Sequence, residues 1–198
     1  MQVRIPGITI SIIIILVICF FLQNLIPGLT EKYIFLPSAA LSRPWLFISS
    51  IFLHANITHI FFNCFSLFLF GSVLERRLSV TQYVTLFLLA GLAGSILYWF
   101  TWAVGIIPDV PALGASGAIF GILGACAVLF PTMTVYVYFF PLNIRHAAVL
   151  WFFLEFMGVF DISSGIASAG HLGGLLIGMI YAWFLVRRQE PEIPAWAR

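Results

Sequence analysis

A serine and a histidine can together carry out acyl transfer, and in this 198-residue chain Ser116 and His171 are the candidates. A serine hydroxyl is a weak nucleophile until a neighbouring base takes its proton. A neutral imidazole can take that proton and later return it to a leaving amine. Ser116 stands in the run LGASG and His171 in the run AGHLGG. The pair could serve as nucleophile and general base if the fold brings the two side chains together.

His59 and Asn63 could supply the hydrogen-bond donors that acyl transfer also needs. They are spaced i and i+4, so on a helix they share one face. Loss of one donor to the developing oxyanion typically costs about 10²–10³ in rate. The imidazole of His59, the amide of Asn63 and the free backbone N–H of Ser116 are candidates for an oxyanion hole, because Ser116 opens its predicted helix.

The other hydrolytic chemistries find no support in the sequence. The run GASG is not the GxSxG elbow of soluble hydrolases, because position 118 is alanine. HExxH is absent, and no aspartate pair lies in neighbouring apolar runs. No carboxylate is expected near His171, so we predict a Ser–His dyad. Glu155 has no predicted catalytic role, and we expect it to pair with a nearby helix or with Arg145.

Composition places these residues in a membrane protein. The chain is 62% hydrophobic and only 8% charged, against roughly 25% charged residues in a soluble domain. Five stretches without a charged residue are each long enough for the ~20 apolar residues of a membrane-spanning helix. A net charge of +2 without a long basic run gives no indication of a nucleic-acid partner. The three cysteines lie in apolar runs and are predicted to be free thiols.

The predicted fold is all-α: a polytopic helix bundle of the cell membrane, forming a single domain over residues 1–198. Apolar runs and the Pro, Gly and charged residues between them predict six spans. These cover roughly residues 8–26, 57–74, 80–104, 115–130, 147–160 and 167–186. The long first loop is rich in aromatic residues and should form short helices in the membrane interface. The segment Thr132–Pro141 should be a second interfacial stretch.

The positive charges orient the bundle with its N-terminus in the cytoplasm. In that orientation seven arginines lie inside (Arg4, Arg76, Arg77, Arg145, Arg187, Arg188 and Arg198), and only Lys32 and Arg43 lie outside. The second, fourth and sixth spans then run from outside to inside. Each carries its polar residues near its beginning, so His59, Asn63, Ser116 and His171 share one depth.

Small residues predict how the fourth and sixth spans meet. Gly117 and Gly121 form a GxxxG unit on the fourth span, while Gly170, Gly174 and Gly178 form two overlapping units on the sixth. Residues of this size let helix backbones approach closely in lipid. Such an approach would bring the Ser116 hydroxyl within hydrogen-bonding reach of His171.

Taken together, these pieces resemble the rhomboid family of intramembrane serine proteases. The resemblance runs from Trp45 to Gly178 and includes HxxxxHxxxN from His54, GxxxE from Gly71, GASG from Gly114 and HxxGxxxG from His171. One departure is in the first loop, where the Trp-Arg pair of the family is Trp45-Leu46. Two smaller ones are Ser79 and Gly170, which stand where the family usually has glycine and alanine.

The resemblance implies a role for each matching residue. Ser116 would be the nucleophile and His171 the general base, with an oxyanion hole of His59, Asn63 and the Ser116 backbone. His54 would be a structural histidine, and Phe120 would pack on the catalytic imidazole. Gly114, Gly117 and Gly174 would support the site. The implied substrates are single-span transmembrane proteins cleaved near the outer ends of their helices. The resemblance implies no metal and no cofactor, and the oligomeric state is left open.

Each residue also has a simpler interpretation. Ser116 could be only a small packing residue, His171 a structural histidine, and His59 with Asn63 an interhelical polar contact. A non-catalytic membrane-protein binder or chaperone of the pseudoprotease type is therefore the alternative function. A small transporter is a weaker alternative, because the polar residues cluster near one face and no inverted repeat is visible.

Overall fold

A computed structural model describes residues 6–137, 139–161 and 167–189 of the chain. Its helices are α1 (Gly7–Leu25), α2 (Leu29–Tyr33), α3 (Leu46–Ser49), α4 (Ile57–Ser66), α5 (Ser72–Leu74), α6 (Val80–Ala103), α7 (Ser116–Leu129), α8 (Ile144–Gly158) and α9 (Ser168–Gln189). A π-helical segment, Leu67–Gly71, joins α4 to α5 without a break. Two strands, β1 (Thr134–Val137) and β2 (Phe140–Asn143), lie between α7 and α8.

The predicted polytopic helix bundle is confirmed. In the part of the chain that the structure describes, four helical stretches are long and apolar enough to cross a membrane: Gly7–Leu25, Ile57–Leu74, Val80–Ala103 and Ser168–Arg187. The fourth and fifth predicted spans correspond to α7 and α8, which have 14 and 15 residues. At 1.5 Å per residue each is about 21–23 Å long, against a hydrocarbon core of about 30 Å. The count of six full spans therefore remains a prediction.

Helix α7 lies at the centre of the bundle. Nine of its 14 residues are buried, although its sequence is apolar on every side. A helix that is apolar all round is stable when other helices surround it. Because α7 is shorter than the membrane core is thick, its first residue, Ser116, can lie below the outer membrane surface.

Glycines set the contact between α7 and α9, as the sequence predicted. A Cβ atom on Gly174 would overlap the carbonyl oxygen of Gly117, and one on Gly178 would overlap that of Gly121. The two backbones therefore touch directly, with no side chain between them. Gly94 of α6 abuts the Gly170 backbone in the same way, so α6, α7 and α9 form one tightly packed unit.

Glu75 ties the N-terminus of α1 to the second span. Its carboxylate accepts hydrogen bonds from the backbone N–H groups of Ile8 and Thr9, both at 2.9 Å, and from the Thr9 hydroxyl at 2.8 Å. Free N–H groups at a helix start favour such an anion. Gly71 leaves room for the Thr9 side chain and for the Tyr83 hydroxyl. This contact gives a physical reason for the spacing GxxxE.

Positively charged residues lie near both ends of α1, and which end faces the cytoplasm remains a prediction. The Glu75 contact brings the start of α1 to the end of α5, where Arg76 and Arg77 follow. Lys32 and Arg43 belong to the first loop, which lies at the other end of α1. Arg4, Arg198 and the side chain of Arg188 lie outside the described residues.

The first loop forms short helices, as predicted: α2, α3 and two 3₁₀ turns, Pro37–Ala39 and Ser50–Phe52. Phe35 pairs with Ala112 through two backbone hydrogen bonds of 3.0 and 2.8 Å. Leu46, which departs from the family pattern, is 2% exposed and packs in an apolar cluster with Phe35 and Tyr98. The loop is therefore anchored by apolar packing and backbone pairing at this position.

The segment after α7 was not predicted to be a hairpin. Strands β1 and β2 pair antiparallel between Thr134–Val137 and Phe140–Asn143. Asn143 then accepts a hydrogen bond from the backbone N–H of Arg145 and begins α8. The all-α expectation thus holds for the bundle and is wrong for this short connection.

Candidate active site

Ser116 and His171 are in contact. Oγ of Ser116, the first residue of α7, lies 2.8 Å from Nε2 of His171, in the first turn of α9. The glycine contact between the two helices brings their backbones close enough for this short distance. A hydroxyl and an imidazole in this geometry can share a proton.

Phe120 holds the imidazole plane from one side. Its ring stacks on that of His171 with centroids 4.4 Å apart and an angle of 8° between the planes. Phe120 lies one turn after Ser116 on the same helix, so α7 supplies both the hydroxyl and the ring that orients its partner. This is the packing that the resemblance implied.

The expectation that no carboxylate lies near His171 is wrong. Oε1 of Glu155, on α8, is 3.0 Å from Nδ1 of His171, the ring nitrogen that faces away from Ser116. Glu155 also accepts a hydrogen bond from the Ser168 side chain. Of the two partners suggested for Glu155, the structure thus selects a nearby helix, α9. The signal in the sequence was a lone glutamate in an apolar span, which usually marks a functional or paired group.

His59 and Asn63 lie on α4 beside the start of α7. The Asn63 side chain is 6% exposed, and its Nδ2 has no hydrogen-bond partner among the described residues. The backbone N–H of Ala55 donates to Nδ1 of His59 at 3.4 Å. That contact favours the tautomer of His59 with its proton on Nε2. The Nε2–H group is then available as a hydrogen-bond donor.

Gly114 brings the chain close to these two side chains. Its φ is +126°, and a Cβ atom there would lie 2.7 and 2.8 Å from Cε1 and Nε2 of His59. The Gly114 N–H donates to the Ser50 carbonyl at 2.9 Å. A glycine is therefore needed just before α7, where the backbone passes the His59 imidazole at close range.

His54 lies behind His59 and is fully buried. The two imidazole rings meet edge to face, with centroids 5.2 Å apart. Gln23 of α1 fixes the His54 backbone by donating to its carbonyl at 2.6 Å and accepting from its N–H at 2.9 Å. Burial, together with the nearby His59, lowers the pKa of His54 to about 4. Sequence reasoning missed Gln23, whose polar side chain in the first apolar run was the available signal.

A cavity of about 650 Å³ reaches the Ser116–His171 pair. Its walls include His59, Asn63 and Phe120 as well as loop residues before α7. The five residues predicted to form the nucleophile, the base, the oxyanion donors and the stacking ring therefore line one space. Within the described ranges, no group of three or more His, Cys, Asp or Glu side chains could hold a metal ion.

The chain matches the Rhomboid domain over residues 41–188. The chain belongs to the rhomboid family. This rhomboid is 32% identical over 149 residues to the putative rhomboid protease YdcA of Bacillus subtilis, an alignment that covers 74% of the chain and 69% of that relative. It is also similar to Rhomboid protein 1, mitochondrial, of Saccharomyces cerevisiae (28% identity, 82% of this chain, 48% of that relative). A third relative is the rhomboid protease GlpG of Serratia proteamaculans (27% identity, 73% and 49%).

This rhomboid spans about half the length of two of these relatives. Together with the apolar helices, the family establishes a multi-pass integral membrane protein that groups with proteins named as proteases. The assignment to the cell membrane in particular remains a prediction.

Proposed function

We propose that this rhomboid is an intramembrane serine endopeptidase in which Ser116 is the nucleophile and His171 the general base. The observation that carries the proposal is the 2.8 Å contact between Ser116 Oγ and His171 Nε2 at the wall of a cavity inside an apolar helix bundle. A serine paired with a base at this distance is the arrangement that acyl transfer needs.

The first half-reaction breaks the peptide bond. His171 Nε2 takes the Ser116 proton while Oγ attacks the substrate carbonyl, and the tetrahedral intermediate carries a negative oxygen. The Asn63 amide, the His59 imidazole and the Ser116 backbone N–H are the proposed donors to that oxygen. His171 then gives its proton to the leaving amine, and the acyl group stays on Ser116.

The second half-reaction uses water. His171 removes a proton from a water molecule in the cavity, the resulting oxygen attacks the acyl carbon, and Ser116 leaves with its proton restored. Water has to reach a site surrounded by apolar helices, and the cavity offers the path. This supports hydrolysis as the overall reaction.

The proposed substrates are single-span transmembrane proteins cleaved near the outer ends of their helices. Ser116 begins the short α7, at the end of the bundle where the first loop also lies. A peptide bond must reach that depth from the membrane to meet the Ser116 hydroxyl.

A Ser116→Ala variant tests the proposal. We expect it to lose cleavage of a reconstituted single-span substrate and labelling by a fluorophosphonate probe, while it unfolds at the wild-type temperature. Ser42→Ala, in the exposed part of the first loop, is the matched control and should keep both substrate cleavage and labelling by the probe. Cleavage by Ser116→Ala would contradict the assignment, and a folded wild-type protein that neither cleaves nor reacts with the probe would favour the non-catalytic binder.

A further inference from the structure

We propose that Glu155 is a positioning residue that makes the Ser116–His171 pair a Ser–His–Glu triad. The Glu155 carboxylate lies 3.0 Å from His171 Nδ1, while His171 Nε2 lies 2.8 Å from Ser116 Oγ. The three groups come from α8, α9 and α7, so they form one chain of contacts across three helices. The inference rests on the proposed function and adds a third residue to it.

The first argument is the tautomer of His171. A general base must have its lone pair on Nε2, which faces Ser116, and its proton on Nδ1. A carboxylate beside Nδ1 stabilises that proton, because an ionised carboxylate only accepts hydrogen bonds. In the described part of the chain Nδ1 makes no hydrogen bond of regular geometry, and the charged group in contact with it is the Glu155 carboxylate at 3.0 Å. Among the described residues, Glu155 is the group placed to favour the tautomer that catalysis requires.

The second argument is the charge that develops during the reaction. When His171 takes the Ser116 proton it becomes a cation in a site where both side chains are largely buried, at 12% exposure for His171 and 15% for Glu155. A neighbouring anion stabilises that cation, and more strongly in a poorly hydrated site than in water. Loss of the carboxylate at an equivalent position of serine proteases reduces kcat by about 10⁴.

The third argument is that Glu155 is itself held in place. The Ser168 side chain, in the first turn of α9, hydrogen-bonds the carboxylate and is 4% exposed. Gly158, one turn after Glu155 on α8, has no side chain to displace the Ser168 hydroxyl, and a Cβ atom there would overlap it. A charged residue in an apolar span is costly unless it is paired. The partners that offset this cost also fix the carboxylate against Nδ1.

A Glu155→Gln variant, measured in detergent micelles with a reconstituted single-span substrate, tests the proposal. We expect kcat to fall by about 10²-fold or more with KM within about threefold of wild type. Glu155→Asp restores the charge on a shorter side chain, so its kcat should be at least tenfold higher than that of Glu155→Gln. In ¹⁵N-histidine spectra, with the His171 signals assigned by comparison with His171→Ala, the wild type should show a proton on Nδ1 and Glu155→Gln a mixture of tautomers.

Two further variants keep the test decisive. Glu31→Gln removes an exposed carboxylate from the first loop and should leave kcat unchanged. Ser168→Ala keeps the Glu155 carboxylate but removes the hydrogen bond that holds it, so we expect kcat to fall about three- to tenfold. If Glu155→Gln does not fold, Ser168→Ala and Glu155→Asp test the proposal in its place.

A Glu155→Gln kcat within threefold of wild type would overturn the triad, and so would a loss of kcat with an unchanged His171 tautomer. Ser116→Ala separates the two proposals, because cleavage by that variant overturns the proposed function itself.

Discussion

At the scale of single residues, Gly114 shows how closely the backbone must pass the side chains of the site. Its positive φ and its approach to the His59 ring come together at the residue two before Ser116. Any side chain would both strain the backbone and push the His59 imidazole away from its position beside Asn63. The requirement for glycine is thus local and tied to the geometry of the site.

We predict that Gly114→Ala loses at least about 10²-fold in kcat and about 1–3 kcal/mol in stability, because the added Cβ displaces a proposed oxyanion donor. Cleavage kinetics and thermal unfolding in detergent measure the two effects. Gly105→Ala is the matched control: its φ is +78°, but nothing lies within 4 Å of its Cβ position. It should lose about 1 kcal/mol of stability and no activity, and equal kinetic losses in both variants would contradict the prediction.

His54 gives the protein a defined response to acid. Its pKa is about 4 in the folded protein and about 6.5 when unfolded. Above pH 6.5 the group is neutral in both states and contributes nothing. As the pH falls below 6.5 the unfolded chain binds a proton that the folded protein does not, so stability decreases until about pH 4, by up to about 3 kcal/mol.

We therefore predict that His54→Gln, which has no titrating group, loses less stability than the wild type between pH 6.5 and 4. Chemical or thermal unfolding in detergent at several pH values gives the difference between the two slopes. His146→Gln, at the other end of the bundle, controls for a general effect of removing a histidine. Parallel curves for wild type and His54→Gln would show that His54 is not the group responsible.

At the scale of elements, the contact between α7 and α9 depends on the absence of side chains. We predict that Gly174→Ala separates the two helices and destabilises the protein by about 1–3 kcal/mol, because its Cβ would occupy the position of the Gly117 carbonyl. Activity should fall more steeply than stability, since Ser116 and His171 lie on the separated helices. Gly7→Ala, with nothing within 4 Å, should be neutral in thermal unfolding and in cleavage, and a neutral Gly174→Ala would contradict the packing argument.

The helices were predictable because the sequence marks their ends. Apolar runs stop at Pro27, Glu75 and Pro131, and the observed helices end within a few residues of these positions. The β1–β2 hairpin was not predictable, since its turn carries no Asn-Gly or Asp-Gly signal and its strands are mostly apolar. The position of Glu155 was missed for a different reason. The spacing of a helix tells which residues share a face, but not which neighbouring helix that face meets.

At the scale of the whole molecule, the site residues could be predicted from their expected depth in the membrane and from their order along the chain. His59, Asn63, Ser116 and His171 stand at the beginnings of spans that run in the same direction, and that was sufficient to predict that they lie together. Gln23 and Glu155 come from α1 and α8, and these two side chains lie near the same end of the bundle as the site. The direction of the spans therefore predicts the residues that line the site. Predicting Gln23 and Glu155, which lie behind them, requires knowing how the helices pack.

The N-terminal helix is the least embedded of the long helices, with three buried residues. We predict that Glu75→Gln weakens its attachment and lowers stability by about 1–3 kcal/mol, because the charged acceptor of three hydrogen bonds is lost. Unfolding in detergent and protease sensitivity of the α1 connection measure this. Glu31→Gln should have no effect, and an equal loss in both variants would show that the Glu75 contact is not what holds α1.

The backbone contact between α7 and α9 also bears on how the protein responds to the bilayer around it. A change in lipid thickness is accommodated mainly by tilting helices, at a cost of a fraction of a kcal/mol per Å. Helix α1, whose surface is largely exposed, has fewer packing contacts to oppose such a tilt than α7 and α9 have. Helices α7 and α9 cannot slide past each other without driving Cα atoms into carbonyl oxygens. The distance between Ser116 and His171 is therefore insulated from the thickness of the membrane, while the outer helices adapt to it.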